Sequence, residues 1–384
     1  MPDVPTIPNP DLVVLADNKP GWNQPDRRRH GFHNFHTLAR YSTSYRAARV
    51  MVLEKRMDLR IPALESVRAI TTLPWFSGMA VIRGRHVLFE RYAADFGPDQ
   101  PHGIQSISKM TMNLVIGKLV EEGRIDPARR AQEYIPEIGS GYAGASVQQL
   151  LNMDVANDYT EDYDDPFTSA YMQEEAAGWR LPSDPAHEDT IRAFVSRITG
   201  KDTTNRTGKA DYKSANTEVL GWIAERVSGR PLRHFLADIA DAAGIEGCLH
   251  MTTDRDGVPL VDGGICLTAR DLARFGALFV RRGRGVDGRP VGSASFIERT
   301  RTAGVPMKAP RDWLRYSNQS NTDGRWLGHG GYGGQYLVAD LESGVVAAFF
   351  SVLEDKNAYD LTYFPPVIRM LAEIARLDFP AAPE

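Results

Sequence analysis

Cysteine is almost missing: Cys248 and Cys266 are the whole complement of a 384-residue chain. Two thiols cannot staple a protein of this size, which excludes a disulfide scaffold and fits a reducing compartment. An excess of charge of one sign is missing too. With 24% charged residues and a formal net charge of −4, the chain has no electrostatic footprint for nucleic acid or a membrane surface. The Arg27-Arg28-Arg29 run is too short to change that. The longest apolar stretches, such as Val345 to Val352, are strand-sized and far below bilayer-spanning length. Met1 to Pro10 is proline-rich and lacks a basic segment followed by an apolar core, so no secretory leader is expected and a cytoplasmic location is. No Gly-x-Ser-x-Gly elbow and no phosphate loop occur, which argues against an α/β-hydrolase and a nucleotide enzyme. His30, His33 and His36 recur every third residue, but no carboxylate or cysteine pattern completes a metal site. Neither a metal nor a cofactor is expected.

What is present is a core-forming chain without an obvious linker, which suggests one two-lobed unit or two interleaved domains. Residues 1–75 read as an irregular segment with helical patches near 35–56, packed on a catalytic unit over 76–384. Within that unit, Met79 to Tyr92 reads as a hairpin turning at Gly84. Helices are expected over 106–122, near Ser146 and Pro166, over Val219 to Val227, over Asp271 to Arg281 and over Pro366 to Leu377. Gln335 to Asp340 and Val345 to Val352 read as a second hairpin. Strands at both ends with helices between imply an α+β fold: one antiparallel sheet flanked by helices, with a mainly helical lobe inserted. The α/β lobe would take about 76–105 and 255–384, the helical lobe about 106–254, with the cleft between them.

Ser106-Ile107-Ser108-Lys109 carries the chemistry. On a helix, residues three apart share a face, so the lysine amine would lie beside the serine hydroxyl and could activate it without a histidine. The tetrapeptide opens an apolar-periodic run, Ile107, Met110, Leu114 and Gly117, closed by Gly123, which puts the pair on the first turn. Backbone N–H groups there are free to receive an anionic intermediate. The competing reading is a helix-capping serine with a solvated lysine.

Three further segments follow in order. Tyr212-Lys213-Ser214 precedes a helix with Leu220-Gly221 and a Val227-Ser228-Gly229 ending. Gly263-Gly264-Ile265-Cys266-Leu267-Thr268-Ala269-Arg270-Asp271-Leu272-Ala273-Arg274-Phe275 comes next, and Gly328-His329-Gly330-Gly331-Tyr332-Gly333-Gly334 comes last. The ordered set resembles the class C β-lactamase and penicillin-recognising serine hydrolases over roughly residues 75–375, and within them most the 6-aminohexanoate-dimer hydrolases. That resemblance implies a β-lactamase-like (DD-peptidase) fold and a Ser-Lys-Tyr catalytic group. Ser106 would be acylated, and Lys109 would act as base or hold Tyr212 anionic. Tyr212 would pass a proton to the leaving group, Ser214 would support the network, and the backbone N–H groups of Ser106 and Tyr332 would form the oxyanion hole. Gly330 and Gly331 would let substrate approach the backbone, with His329 beside them.

There are departures. Penicillin-recognising enzymes commonly carry Lys-Thr-Gly in the last motif, and His329 offers a largely neutral imidazole instead, which favours other amides or esters over β-lactams. Tyr316-Ser317-Asn318 matches the family's second motif by letters but lies in the wrong place, and reads as a strand or loop piece. The acidic stretch Asp158 to Asp165 reads as a solvated loop, or as a site for a cationic amine. Tyr159, Tyr163, Tyr171 and Trp179 would line an apolar substrate pocket, or equally pack the helical lobe. The expected partner is a small linear amide or ester and nothing macromolecular; a homodimer is neither required nor excluded. The alternatives are a carboxylesterase, a D-amino-acid amidase or peptidase, a β-lactamase, an acyltransferase, and a sensor that is acylated slowly and not turned over.

Overall fold

The computed structural model describes residues 21–184, 186–355 and 358–379, so the stretch Met1 to Pro10 lies outside the described residues. Among them, nine strands form one sheet in the order Glu54–Lys55, His86–Tyr92, Phe76–Arg83, Val345–Ser351, Gln335–Asp340, Trp326–Gly331, Ser320–Thr322, Arg315–Ser317, Val305–Pro306. All neighbours are antiparallel except the short Glu54–Lys55 edge, which runs parallel to its partner. The expected union of the two chain ends is present: Ala80 pairs with Ala348 and Ile82 with Val346. A second sheet of four strands joins Ser42–Tyr45, Leu249–Thr252, Ile265–Leu267 and His102–Gly103.

Both faces of the central strands are apolar, and each face has its own cover. Ala80, Ile82, Val346 and Ala348 point into the core shared with the helices, whereas Met79, Val81, Ala347 and Phe349 point at the C-terminal helix Phe364–Ala375. That split is the period-two alternation of a strand, hidden in sequence because neither side is polar. The helix Ala269–Val280 covers the first face and comes close at Gly276, where a Cβ would lie 2.5 Å from Val346 Cγ1.

The expected hairpins and major helices are found, with shifted ends. The C-terminal helix starts at Phe364, because Pro365 and Pro366 fit a first turn whose N–H groups need no partner. The expected helical patches near 35–56 are a correction. Helices occupy Arg28–His33 and Phe35–Leu38, and the chain beyond forms strands at Ser42–Tyr45 and Glu54–Lys55. Distant strands supply their hydrogen bonds, a tertiary pairing that local propensity does not encode. The first turn of the expected 106–122 helix is also different: Gln105–Lys109 is 3₁₀, and the α-helix runs Met110–Glu121. No helix among the described residues is long and apolar enough to cross a membrane.

Candidate active site

The 3₁₀ turn is what sets Ser106 and Lys109 together, since side chains at i and i+3 eclipse in that geometry. Gln105, just before the serine, has φ +48, a left-handed conformation that a non-glycine residue adopts only when its surroundings hold it there. What holds it is close packing. At Gly331 on the neighbouring strand Trp326–Gly331, a Cβ would lie 2.5 Å from the Ile104 carbonyl oxygen and 3.2 Å from Gln105 Cβ. Every residue from 102 to 117 is buried except Ser106, which opens into a cavity. The capping alternative fails on the same facts, because Lys109 is 0% exposed and no side chain caps this turn.

Lys109 Nζ lies 3.1 Å from Ser106 Oγ, 3.0 Å from Ser214 Oγ and 2.6 Å from the Asp262 carbonyl oxygen. Burial disfavours its charged form and pulls its pKa below the ordinary lysine value, while Asp262, Glu161 and Glu218 pull the other way. Tyr212 and Ser214 arrive on the segment leading into the helix Ala215–Ser228, and successive side chains there diverge. Lys213 points away to the Tyr159 carbonyl oxygen at 2.5 Å and to Asp211 at 3.2 Å. The Tyr212 ring lies with its centroid 5.1 Å from Lys109 Nζ. Its buried hydroxyl has no partner at full hydrogen-bond geometry, although Ser106 is near enough to act on its titration. Burial, more than the nearby Tyr316 and Glu161, drives the phenol pKa well above 10, so Tyr212 rests protonated.

Glu161 is the residue the sequence reading misplaced. Its carboxylate accepts from Ser214 N at 2.8 Å, Ser214 Oγ at 2.9 Å and Tyr163 Oη at 2.7 Å, and it lines the cavity with Ser106. As a residue it is half-buried, yet burial of its carboxyl pushes its pKa up. The loop around it is clasped by Thr168 Oγ1 to the Thr160 carbonyl oxygen, which turns Tyr159, Glu161 and Tyr163 inward and leaves Asp162 and Asp164 outside. A period-two alternation was therefore the signal, masked by the run of acids. Asp262 and Glu218 were missed as well. Glu218 accepts from the Asp262 N–H at 2.9 Å, and burial, reinforced by Asp262, drives its pKa up.

His329, Gly330, Gly331 and Tyr332 line the same cavity. His329 is 3% exposed, and its Nδ1 is 2.7 Å from the Gly330 carbonyl oxygen, which only an N–H can face. Nε2 is then the acceptor for the Tyr316 hydroxyl at 3.1 Å. Burial lowers the imidazole pKa to about 3, so it is neutral. Tyr316 is a fully buried strand residue outside the cavity. The Tyr332 ring packs 4.7 Å from that of Tyr163, and among the described residues no backbone acceptor takes its N–H.

Three expected pocket residues are corrected. Tyr159 is 1% exposed and donates to Gln173 Oε1 at 2.7 Å, packing beside Phe194. Tyr171 donates to the Tyr163 carbonyl oxygen and lies under Arg180. Trp179 donates to Thr252 Oγ1 at 2.9 Å and packs against Gly263, bracing the turn that presents the Asp262 carbonyl. None of the three reaches the cavity, because each aromatic spends its polar edge inside the helical lobe. The expected histidine row is separate side chains: His33 meets Ser77 Oγ, His36 packs tilted against His250, and His30 meets Asn34. Arg311, Tyr359, Met307, Asn321 and Phe364 complete the wall and were not foreseen.

A family model described as Beta-lactamase matches residues 67–363, well over half of the chain. The chain belongs to the beta-lactamase family. Within this family, the 6-aminohexanoate-dimer hydrolase of Paenarthrobacter ureafaciens is 40% identical over 244 residues, which is 62% of this chain and only 59% of that relative. A Bacillus anthracis structure provisionally assigned as a 6-aminohexanoate-dimer hydrolase superposes with a TM-score of 0.79 at 20% identity, covering 96% of this chain and 98% of that one. A D-stereospecific amidohydrolase from a Streptomyces species gives 0.58 at 18% identity, over 84% and 100% of the two chains. At such identities the two structures establish the shared beta-lactamase-type α+β fold and nothing about substrate.

Proposed function

We propose that the protein is a serine hydrolase that cleaves small linear amides or esters through an acyl-enzyme on Ser106, with amides of the 6-aminohexanoate-dimer type as its substrates. The observation that carries the reading is the fully buried Lys109 amine 3.1 Å from the half-buried Ser106 hydroxyl, the one hydroxyl of the turn that lines the cavity. As a neutral amine it donates to the Asp262 carbonyl and to Ser214, and its lone pair faces the Ser106 O–H. Ser106 Oγ attacks the carbonyl carbon while its proton passes to Lys109. The oxyanion is received by the N–H groups of Ser106 and Tyr332, a preorganised donor pair of the kind worth about 3 to 4 kcal/mol per donor. Tyr212, held protonated by burial, gives its proton to the departing amine and regains one from Lys109. Water then hydrolyses the ester, with the same groups running in reverse.

The relative's activity supplies the substrate class, and the neutral His329 supports it against β-lactams. The reading is tested on 6-aminohexanoate dimer, p-nitrophenyl acetate and nitrocefin, each with the wild type and Ser106→Ala. The expected result is steady turnover of the amide and the ester after a nitrophenol burst, little on nitrocefin, and none of it in Ser106→Ala. A burst without turnover would make the protein a slowly acylated sensor instead.

A further inference from the structure

Among the described residues, Arg311 is the one cationic side chain of the cavity wall that the mechanism leaves unused. The fully buried Arg274 finds carboxylates: it pairs with Asp271 at 2.8 Å and Glu246 at 2.6 Å, and donates to the Met51 carbonyl oxygen. Arg311 does not. Its guanidinium lies 5.6 Å from the Phe364 ring centroid and donates through one terminal nitrogen to Tyr359 Oη at 2.8 Å. Its Nε is buried with no acceptor, and among the described residues it forms no ion pair. The neighbouring Lys308 points away, to Asp211 at 3.1 Å. Asn321 lines the same wall and is 2% exposed, with its Oδ1 also lacking a partner.

A guanidinium held by an aromatic face and a phenol, with donors left over, is preorganised for a planar oxyanion. The carboxylate within the cavity, Glu161, is already engaged by Ser214 and Tyr163. We propose that Arg311 anchors a free carboxylate of the substrate, remote from the scissile carbonyl, so that the enzyme selects chains ending in an acid over neutral ones. This rests on the acyl-enzyme reading above and adds a substrate requirement to it.

The test pairs two amides of equal length, 6-aminohexanoate dimer and its C-terminal carboxamide, on wild type, Arg311→Lys and Arg311→Met. Losing a charge-assisted contact should lower kcat/KM for the dimer about 10- to 100-fold in Arg311→Met, chiefly through KM. Turnover of the carboxamide should stay within about twofold of wild type, which shows the fold intact, and Arg311→Lys should fall between on the dimer. A parallel calorimetric titration of hexanoate should show binding to Ser106→Ala and none to Ser106→Ala with Arg311→Met. Equal losses on both amides, no loss on either, or hexanoate binding indifferent to Arg311→Met would overturn the anchor. Amide hydrolysis surviving in Ser106→Ala would instead sink the serine reading, while the hexanoate titration still reports on Arg311.

Discussion

Lys109→Met should lower kcat/KM on the amide substrate by about 10² to 10⁴, the range of positioned base catalysis, while the protein stays folded. Lys109→Arg should be as inactive as Lys109→Met. A guanidinium keeps the charge but cannot surrender a proton, so the pair of variants separates a base from a fixed cation. The pH profile of the wild type carries the same information. The neutral amine is the active form, and burial lowers the lysine pKa, so kcat/KM should rise with pH along a limb below the ordinary lysine range near 10.4. His329 titrates near 3 and should contribute no limb close to 6.5. Steady-state kinetics from pH 5 to 10 on the neutral ester would settle both points. Near-wild-type activity in Lys109→Arg would remove the lysine from the role of base.

Tyr212→Phe should separate amides from activated esters. An amine leaves only with a proton, whereas nitrophenolate leaves without one, so the loss should reach about 10² to 10⁴ on the dimer and be far smaller on p-nitrophenyl acetate. Tyr316→Phe is the control. Its hydroxyl donates to His329 Nε2 away from the cavity, so its removal orphans a buried acceptor. That costs stability on the order of 1 to 3 kcal/mol and leaves the rate on both substrates within about tenfold. If Tyr316→Phe were dead on both substrates and Tyr212→Phe active, the two phenols would have to exchange roles.

The parts of this molecule that were legible in its sequence are those encoded locally. The hairpins around Gly84 and Gly344, the helix ended by Gly229 with φ +63 and the apolar run after Lys109 all follow from periodicity and turn chemistry. The order of the motifs carried the fold, because each sits at the end of an element that must reach the same cleft. What stayed hidden depends on tertiary contact. Ser42–Tyr45 is a strand only because Leu249–Thr252 pairs with it. Asp262 contributes a backbone carbonyl, which any residue could have supplied. Glu161 looked like one acid among several, and only the inward turn of its loop distinguishes it from Asp162. Tyr159 and Trp179 were plausible pocket residues by type, and their hydrogen bonds to Gln173 and Thr252 place them in the packing. Arg311 carries no pattern at all in the chain.

The central claim is that a buried amine makes the Ser106 hydroxyl a nucleophile. Intact mass after brief exposure to a fluorophosphonate probe, followed by peptide mapping, measures it directly. The account predicts a single adduct on Ser106 in the wild type, none in Ser106→Ala, and greatly slowed labelling in Lys109→Met. An adduct elsewhere, or labelling of Lys109→Met at the wild-type rate, would contradict it.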